Sequence, residues 1–437
     1  MRFDPAPFLA VARGTPRARH LGRVTRAAGL LIEARGAAAP VGELCLIERR
    51  DRAPLPAEIV GFREGATLLM PLGDADGLLP GAVVRPEERK LSVGVGEALL
   101  GRVLDGLGRP ADGLPPPEVV EERPLLADAP RPMDRLSIDA PLETGVSVID
   151  GFLTLGRGQR VGIFAGSGVG KSTLLGELAK RATADVNVIA LIGERGREVG
   201  QFIEEILGPE GLRKSVVIAA TSDAPALVRI KSAYVATAIA EWFRDRGKDV
   251  LLTIDSVTRF ASATREVGLA LGEPPTTKGY PPSFFSAAPR LVERAGRTRR
   301  GSITGLCTVL VDGDDLNDPV ADTMRGLLDG HFVLSRELAR RRHPAVDVLG
   351  SVSRLMDRVA TPEHRDAAAK ARRLLATYED AKDLLAVGAY KPGADPQVDK
   401  AVRSMPEAEA LLAQKIGEAR PMAETVRRLR ELAARAE

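Results

Sequence analysis

The sequence predicts an α/β protein: a doubly wound core of parallel strands and helices, preceded by a small β-barrel and followed by a helical domain. Three observations carry this expectation. Residues from about Leu21 to Val95 hold short β-type runs broken by turns. From about Gly158, near-continuous apolar runs alternate with helical segments, and after Ser353 the apolar spacing becomes helical while turn signals thin out. A chain of 437 residues is also too long for one ordinary core, so two or three domains are expected.

Taken in order, residues 1–20 read as a partner-binding segment. "PAPFLAVARG" is short and partly amphipathic, so it either orders on a partner or is a frayed tail. Residues 21–95 read as the barrel: "AGLLIEARG", "GELCLIER", "AEIVGFREGATLLMPLG" and "GAVVRPEER" are close-spaced strands, as small barrels and sandwiches require. The Pro- and Gly-dense stretch that begins "GRVLDGLGRPADGLPPPEVV" reads as a linker wrapping between domains. Within residues 96–350, "RVGIFAG", "VNVIALIGE", "SVVIAATS", "DVLLTIDS", "TGLCTVLVDG" and "HFVLS" have the composition of parallel strands covered on both faces. The segments between them, such as "KSTLLGELAKRA" and "YVATAIAEWFRDRG", are helical, which gives the doubly wound pattern. Residues 351–437 form the helical domain.

Composition excludes several classes. A 44% apolar and 28% charged chain is that of a soluble globular protein, and a net charge of +3 gives no bulk argument for nucleic acid. Arg13, Arg17, Arg19, Arg23 and Arg26 crowd the N-terminal region, where they serve an acidic partner, a membrane surface or simply a solvated basic face. Cys45 and Cys307 stand far apart in apolar runs and read as buried thiols of a reducing compartment. Four scattered histidines show no metal-ligand spacing. Asp4 and Pro5 in a start without a long apolar core argue against a secretory signal, and no apolar run reaches membrane-spanning length. The expected location is cytoplasmic, or at most peripheral to a membrane.

The stretch "FAGSGVGKST" carries the chemistry. It follows a buried strand and opens a helix, the context in which backbone N–H groups and a helix N-terminus converge on phosphate. Gly166, Ser167, Gly168, Val169 and Gly170 form the cradle; Lys171 supplies positive charge, Ser172 a hydroxyl for Mg²⁺, and Thr173 continues the turn. The first position is Ala165 where the general pattern has Gly, a small residue that still permits the turn. Asp255 ends the strand "DVLLTIDS" and is suited to hold Mg²⁺ directly or through water, or else caps the next helix. Glu194 and Arg195 end another apolar strand. There the carboxylate either polarises an attacking water or pairs on the surface with Arg195 or Arg197.

Together, "GIFAGSGVGKSTLL", "LIGERGREV", "LLTIDSVTRF", "DDLNDP" and "GSVSR" resemble the hexameric rotary-type ATPases, and most of all the flagellar and type III secretion export ATPases. The resemblance covers nearly the whole chain, from the barrel-like start through "LGRVLDGLGRPADG" to the helical end, and "FAGSGVGKST" leans toward the flagellar branch. It implies a P-loop, RecA-like core and ATP with Mg²⁺ as ligands. It implies that Glu194 activates water, that Arg195 and Arg259 lie near the γ-phosphate, and that Arg354 is a finger reaching into a neighbouring subunit's site. Glu194 and Arg354 in one chain suit a homohexamer. "GDDLNDPVAD" (313–322) resembles the loop that meets a central coiled-coil stalk protein, with Asp314, Asp315 and Asp318 as an acidic rim; on composition alone it is a solvated turn. The first residues correspond to those that bind a stator-like regulatory protein. One departure stands out: His343 occupies the place of a tyrosine that stacks on adenine in relatives. Tyr390 either adds aromatic area to that pocket or packs among helices.

Three functions share this fold. An export ATPase would deliver and unfold exported proteins at a membrane export gate, with its helical C-terminal domain meeting chaperone–substrate complexes. A rotary synthase subunit has nearly the same site. An RNA-translocating ring would need stacking platforms in the barrel, and residues 1–95 offer only Phe3, Phe8 and Phe62, so no nucleic-acid partner is expected. The reading adopted is a Mg²⁺-dependent hexameric ATPase of the flagellar export apparatus, with the injectisome ATPase and the synthase subunit as alternatives.

Overall fold

The computed structural model describes residues 20–311, 315 and 317–435. The chain divides into two compact units that part after Leu91. In the first, six strands (Gly22–Ala28, Leu31–Arg35, Glu43–Arg49, Arg52–Arg63, Ala66–Pro71 and Val83–Lys90) close into an antiparallel barrel. In sequence numbering the order around it is first, second, fifth, fourth, third, sixth. Alternation fills its interior: Val24, Ile32, Ala34, Cys45, Ile47, Ala57, Ile59, Leu69 and Val84 point inward and are buried. Ser92–Val95, which has the same alternating look in the sequence, pairs instead with Glu121–Pro124 in the second unit.

The second unit is built on a nine-stranded sheet. Its order is Val346–Ser353, Gly330–Leu334, Arg160–Ala165, Ser302–Leu310, Asp249–Asp255, Val186–Ile192, Ser215–Ala220 and Val103–Asp105, with Gly296–Arg297 pairing onto Ser302–Leu310. All neighbours are parallel except the edge strand Val346–Ser353 and the short Gly296–Arg297. The central strands are buried along their length because helices cover them. The 19-residue helix Ala226–Arg244 packs on four strands of the sheet and buries Trp242. Two features differ from the sequence expectation. Val103–Asp105, inside the Pro- and Gly-rich stretch, is the edge strand of the sheet, not free linker; Asp112 holds it by accepting from Arg102 and from the Val103 N–H. Val346–Ser353 is a strand that its polar and exposed residues conceal, since Leu349 and Val352 lie on an open edge.

Helices Pro362–Ala386, Pro396–Leu412 and Met422–Arg435 pack on one another and on the short helix Ser147–Phe152. Two of them start where the sequence places cap and proline together: Thr361 accepts from the His364 N–H, and Asp395 from the Gln397 N–H, with Pro362 and Pro396 next in line. Buried polar contacts tie this layer down. Gln414 accepts from the Ser147 N–H at 2.6 Å, and Arg420 donates to Ser147 Oγ at 2.8 Å. No described helix is long and apolar enough to cross a membrane.

Candidate active site

The phosphate loop connects the strand Arg160–Ala165 to the helix Lys171–Arg181. Gly168 and Gly170 have φ of +78° and +89°, a region in which a side chain is strained, and Gly170 is the N-cap of the helix. Ser167 and Gly168 are exposed, Val169 is buried, and Lys171, Ser172 and Thr173 lie half-buried in the first helical turn. Free backbone N–H groups at a helix start, with Lys171 beside them, form an anion cradle.

Two neighbouring strands bring the acids to Lys171. Leu191 and Asp255 are paired in parallel register, so Glu194, just beyond the first strand, and Asp255, at the end of the second, meet at the same edge. Lys171 Nζ donates to Asp255 Oδ1 and lies 3.8 Å from Glu194 Oε1. Asp255 is nearly inaccessible, with 4% of its side chain exposed, and Thr308 Oγ1 donates to it at 2.6 Å. Thr308 is a site residue that the sequence reading passes over. Its signal is the one hydroxyl in the apolar run "GLCTVLV", on the strand lying between the loop strand and the Asp255 strand. Burial pushes the Glu194 carboxyl above its usual range; Lys171 and Arg259 pull it back, while Asp255 and Glu198 push it up. Arg259 is fixed over Gly193, where an added Cβ would stand only 3.0–3.2 Å from the arginine's stem. Ser256 accepts from the Arg259 N–H and caps that helix, so Asp255 is left to Lys171 and Thr308.

The remaining expected residues fall into three places. His343 stands beside the loop: a Cβ on Gly170 would lie 3.9 Å from its Nδ1, and burial lowers its basicity. Arg195 is 76% exposed and turns to Glu198 at 3.2 Å within its own helical turn, apart from the Lys171 cluster. Tyr390 bonds inside the loop between two C-terminal helices, to the Asp395 carbonyl and to Asp399 Oδ1, each at 2.9 Å. Those contacts are the helical packing alternative, not an aromatic wall beside His343. A cavity of about 670 Å³ lies between residues such as Arg342 and Val348 and the helices carrying Tyr378 and Glu409. A smaller one, of about 310 Å³, touches the start of the loop at Ala165 and Gly166.

Arg354 is at the far end of the sheet. Its strand runs antiparallel, with Val346 opposite Leu334 and Ser353 opposite Gly330, while Ala165 pairs with Leu334. The loop therefore leaves the sheet beside Leu334, and Arg354 beside Gly330, about 13 Å away along the strand direction. Of the loop 313–322, Gly313, Asp314 and Leu316 lie outside the described residues, as does the segment 1–19 with its arginines Arg13, Arg17 and Arg19. Asp318 caps the helix Pro319–Leu327, and Lys278 approaches Asp315 at 3.4 Å and Asp318 at 3.6 Å. The expected acidic rim is thus partly neutralised within the chain.

A phosphate loop with acids at the ends of two adjacent strands defines a P-loop nucleotide-binding protein. Residues 145–353 match the ATP synthase alpha/beta family nucleotide-binding domain, residues 24–87 that family's beta-barrel domain, and residues 360–431 the T3SS EscN ATPase C-terminal domain. The flagellum-specific ATP synthase of Bacillus subtilis is 51% identical over 95% of both chains. The type 3 secretion system ATPase of Xanthomonas euvesicatoria is 52% identical over 88% of this chain and 87% of its own. Among solved structures, the assembled ATPase EscN of the enteropathogenic E. coli type III secretion system is 44% identical with a TM-score of 0.88, over 94% of this chain and all of that one. The chain belongs to the family of flagellum-specific ATP synthases and type 3 secretion system ATPases.

Proposed function

We propose that this chain is the ATP-hydrolysing motor of a flagellar type III protein export apparatus, working as a homohexamer. One observation carries the reading: Lys171, Glu194 and Asp255 gather at one end of the sheet, and Arg354 stands at the other. A finger about 13 Å from its own phosphate loop along the strands serves a neighbour's site, not its own. In that arrangement Lys171 leaves Asp255 for the β- and γ-phosphates, Glu194 orients water for in-line attack, and Arg354 from the next subunit meets the developing charge. The raised Glu194 carboxyl suits a group that accepts a proton.

The donor set fits Mg²⁺. Ser172 offers a hydroxyl and Asp255 a carboxylate, both hard oxygens, and among the described residues no group of three or more His, Cys, Asp or Glu could hold a metal alone. Two protein donors leave the other positions to phosphate and water, and the ion would neutralise phosphate charge. Gly166, Ser167, Gly168, Val169, Gly170 and Thr173 cradle the phosphates, Arg259 lies beside Glu194, and His343 faces the base. The flagellar assignment rests on relatives named flagellum-specific ATP synthase at 51% identity. The injectisome alternative is favoured by the C-terminal match and the EscN likeness.

The EscN ATPase has been solved with its central stalk EscO. By analogy the loop 313–322 meets a stalk, residues 1–20 meet a stator-like protein, and the C-terminal helices meet chaperone–substrate complexes at the cytoplasmic face of an export gate. The experiment is Mg·ATPase rate against protein concentration. Specific activity that climbs as rings form, and stays negligible at high dilution, supports the motor; specific activity independent of concentration, down to monomer, contradicts it. Deleting the gene separates the branches: loss of motility marks the flagellar apparatus, loss of effector secretion the injectisome.

A further inference from the structure

The finger end of the sheet carries more charge than one arginine explains. The Arg354 N–H donates to the Asp329 carbonyl at 3.0 Å, and its Nη2 donates to the Arg325 carbonyl at 3.2 Å. Arg325 lies in the last turn of the helix Pro319–Leu327, where carbonyls lack partners within the helix, so the finger satisfies one of them. His331 completes the group, directly opposite Val352 on the finger's strand. Its charged form is disfavoured first by burial and then by the positive charges of Arg325 and Arg354, against a hydrogen bond with the Gly350 backbone that favours it.

Among the described residues neither Arg325 nor Arg354 has an ion-pair partner, and Arg325 Nε and His331 Nδ1 are buried without a hydrogen bond. The carboxylate of Asp329, the residue whose carbonyl holds the finger, belongs to Arg160, which donates to it through N, Nε and Nη2 at 3.0–3.2 Å. Elsewhere beside this sheet arginines meet acids, as Arg157 does with Asp249 and Arg102 with Asp112. With Arg354 Nη2 on the Arg325 carbonyl, the two cations share one end of the sheet without an ion-pair partner among the described residues, and an anion from outside the chain would neutralise them.

We propose that Arg325 is a second cation of the half-site that one subunit offers its neighbour, acting beside Arg354 on the neighbour's terminal phosphate. The proposal rests on the trans arrangement above. Arg325→Gln removes the charge, keeps the carbonyl that holds Arg354, and matches the helix propensity of arginine. It should lower kcat roughly ten- to a hundredfold with KM for ATP changed less than about twofold, and Arg325→Lys should keep most of the rate.

Mixed rings locate the defect. Glu194→Gln mixed with Arg325→Gln should regain activity, because one partner brings an intact catalytic face and the other an intact finger face. Arg354→Ala mixed with Arg325→Gln should gain nothing over the two variants alone, since both lesions lie on the finger face. Parental kcat in Arg325→Gln overturns the proposal. So does a silent Glu194→Gln/Arg325→Gln mixture when Glu194→Gln/Arg354→Ala regains activity, because the defect then lies in the subunit's own site. A silent Glu194→Gln/Arg354→Ala mixture overturns the trans arrangement itself, and this proposal with it.

Discussion

The two ends of one sheet treat charge in opposite ways. At the loop end, Lys171 is neutralised twice, by Asp255 and by Glu194 3.8 Å away, and Thr308 adds a hydrogen bond to the buried carboxylate. At the other end, Arg354 donates to the Arg325 carbonyl, and among the described residues neither arginine has an ion-pair partner. A self-paired site is stable without nucleotide and must be opened by phosphate, whereas an unpaired one waits for an anion. The difference is what the proposed arrangement needs: one subunit with two unlike halves of a site, to be completed between copies.

Breaking either half should give the largest effects. Glu194→Gln is expected to lower kcat by at least ~10³-fold while ATP still binds, because the cradle and Lys171 are untouched. Arg354→Ala should cost ~10³-fold or more in assembled protein and leave nucleotide affinity of the monomer unchanged, as titration at high dilution would show. Thr308→Val sharpens the contrast at the loop end alone. It strips a donor from a buried carboxylate and should cost about 1.5–3 kcal/mol in denaturant unfolding, with roughly tenfold lower kcat from a misplaced Asp255.

Two smaller effects probe protonation and base contact. Glu194 must be ionised to accept a proton, and burial raises its pKa, so acidification should remove activity at a higher pH than an ordinary glutamate would. A pH–rate profile of kcat whose acidic limb lies within the ordinary glutamate range would count against Glu194 as the base. His343→Tyr should tighten ATP by a few-fold, the share of a larger stacked ring; unchanged affinity by titration would remove His343 from the base pocket.

Much of this was legible in the sequence, for physical reasons. The glycines of "GSGVGKS" and the apolar runs ahead of Glu194 and Asp255 announce a loop and strand ends, because buried parallel strands leave their chemistry at their termini. Arg354 was legible through family resemblance alone, since its strand is an exposed edge without apolar continuity. Thr308 was hidden because a central strand reads as core even where it carries hydroxyls, and only the strand order places it between the loop and Asp255. Arg325 looks like an ordinary helix-end arginine; its unpaired state depends on Asp329 being held by Arg160, a contact 169 residues apart. Tyr390 misleads for the opposite reason, an aromatic beside "KPGADP" whose partners are its own loop.

The most direct measurement mixes Glu194→Gln with Arg354→Ala, each inactive alone, and follows Mg·ATPase rate against their ratio at a concentration that supports assembly. A site shared between neighbours predicts activity that rises from nothing to a maximum at intermediate ratios, where intact loop faces meet intact fingers. Zero activity at every ratio, with assembly confirmed, would contradict the shared site and leave Arg354 without a catalytic role.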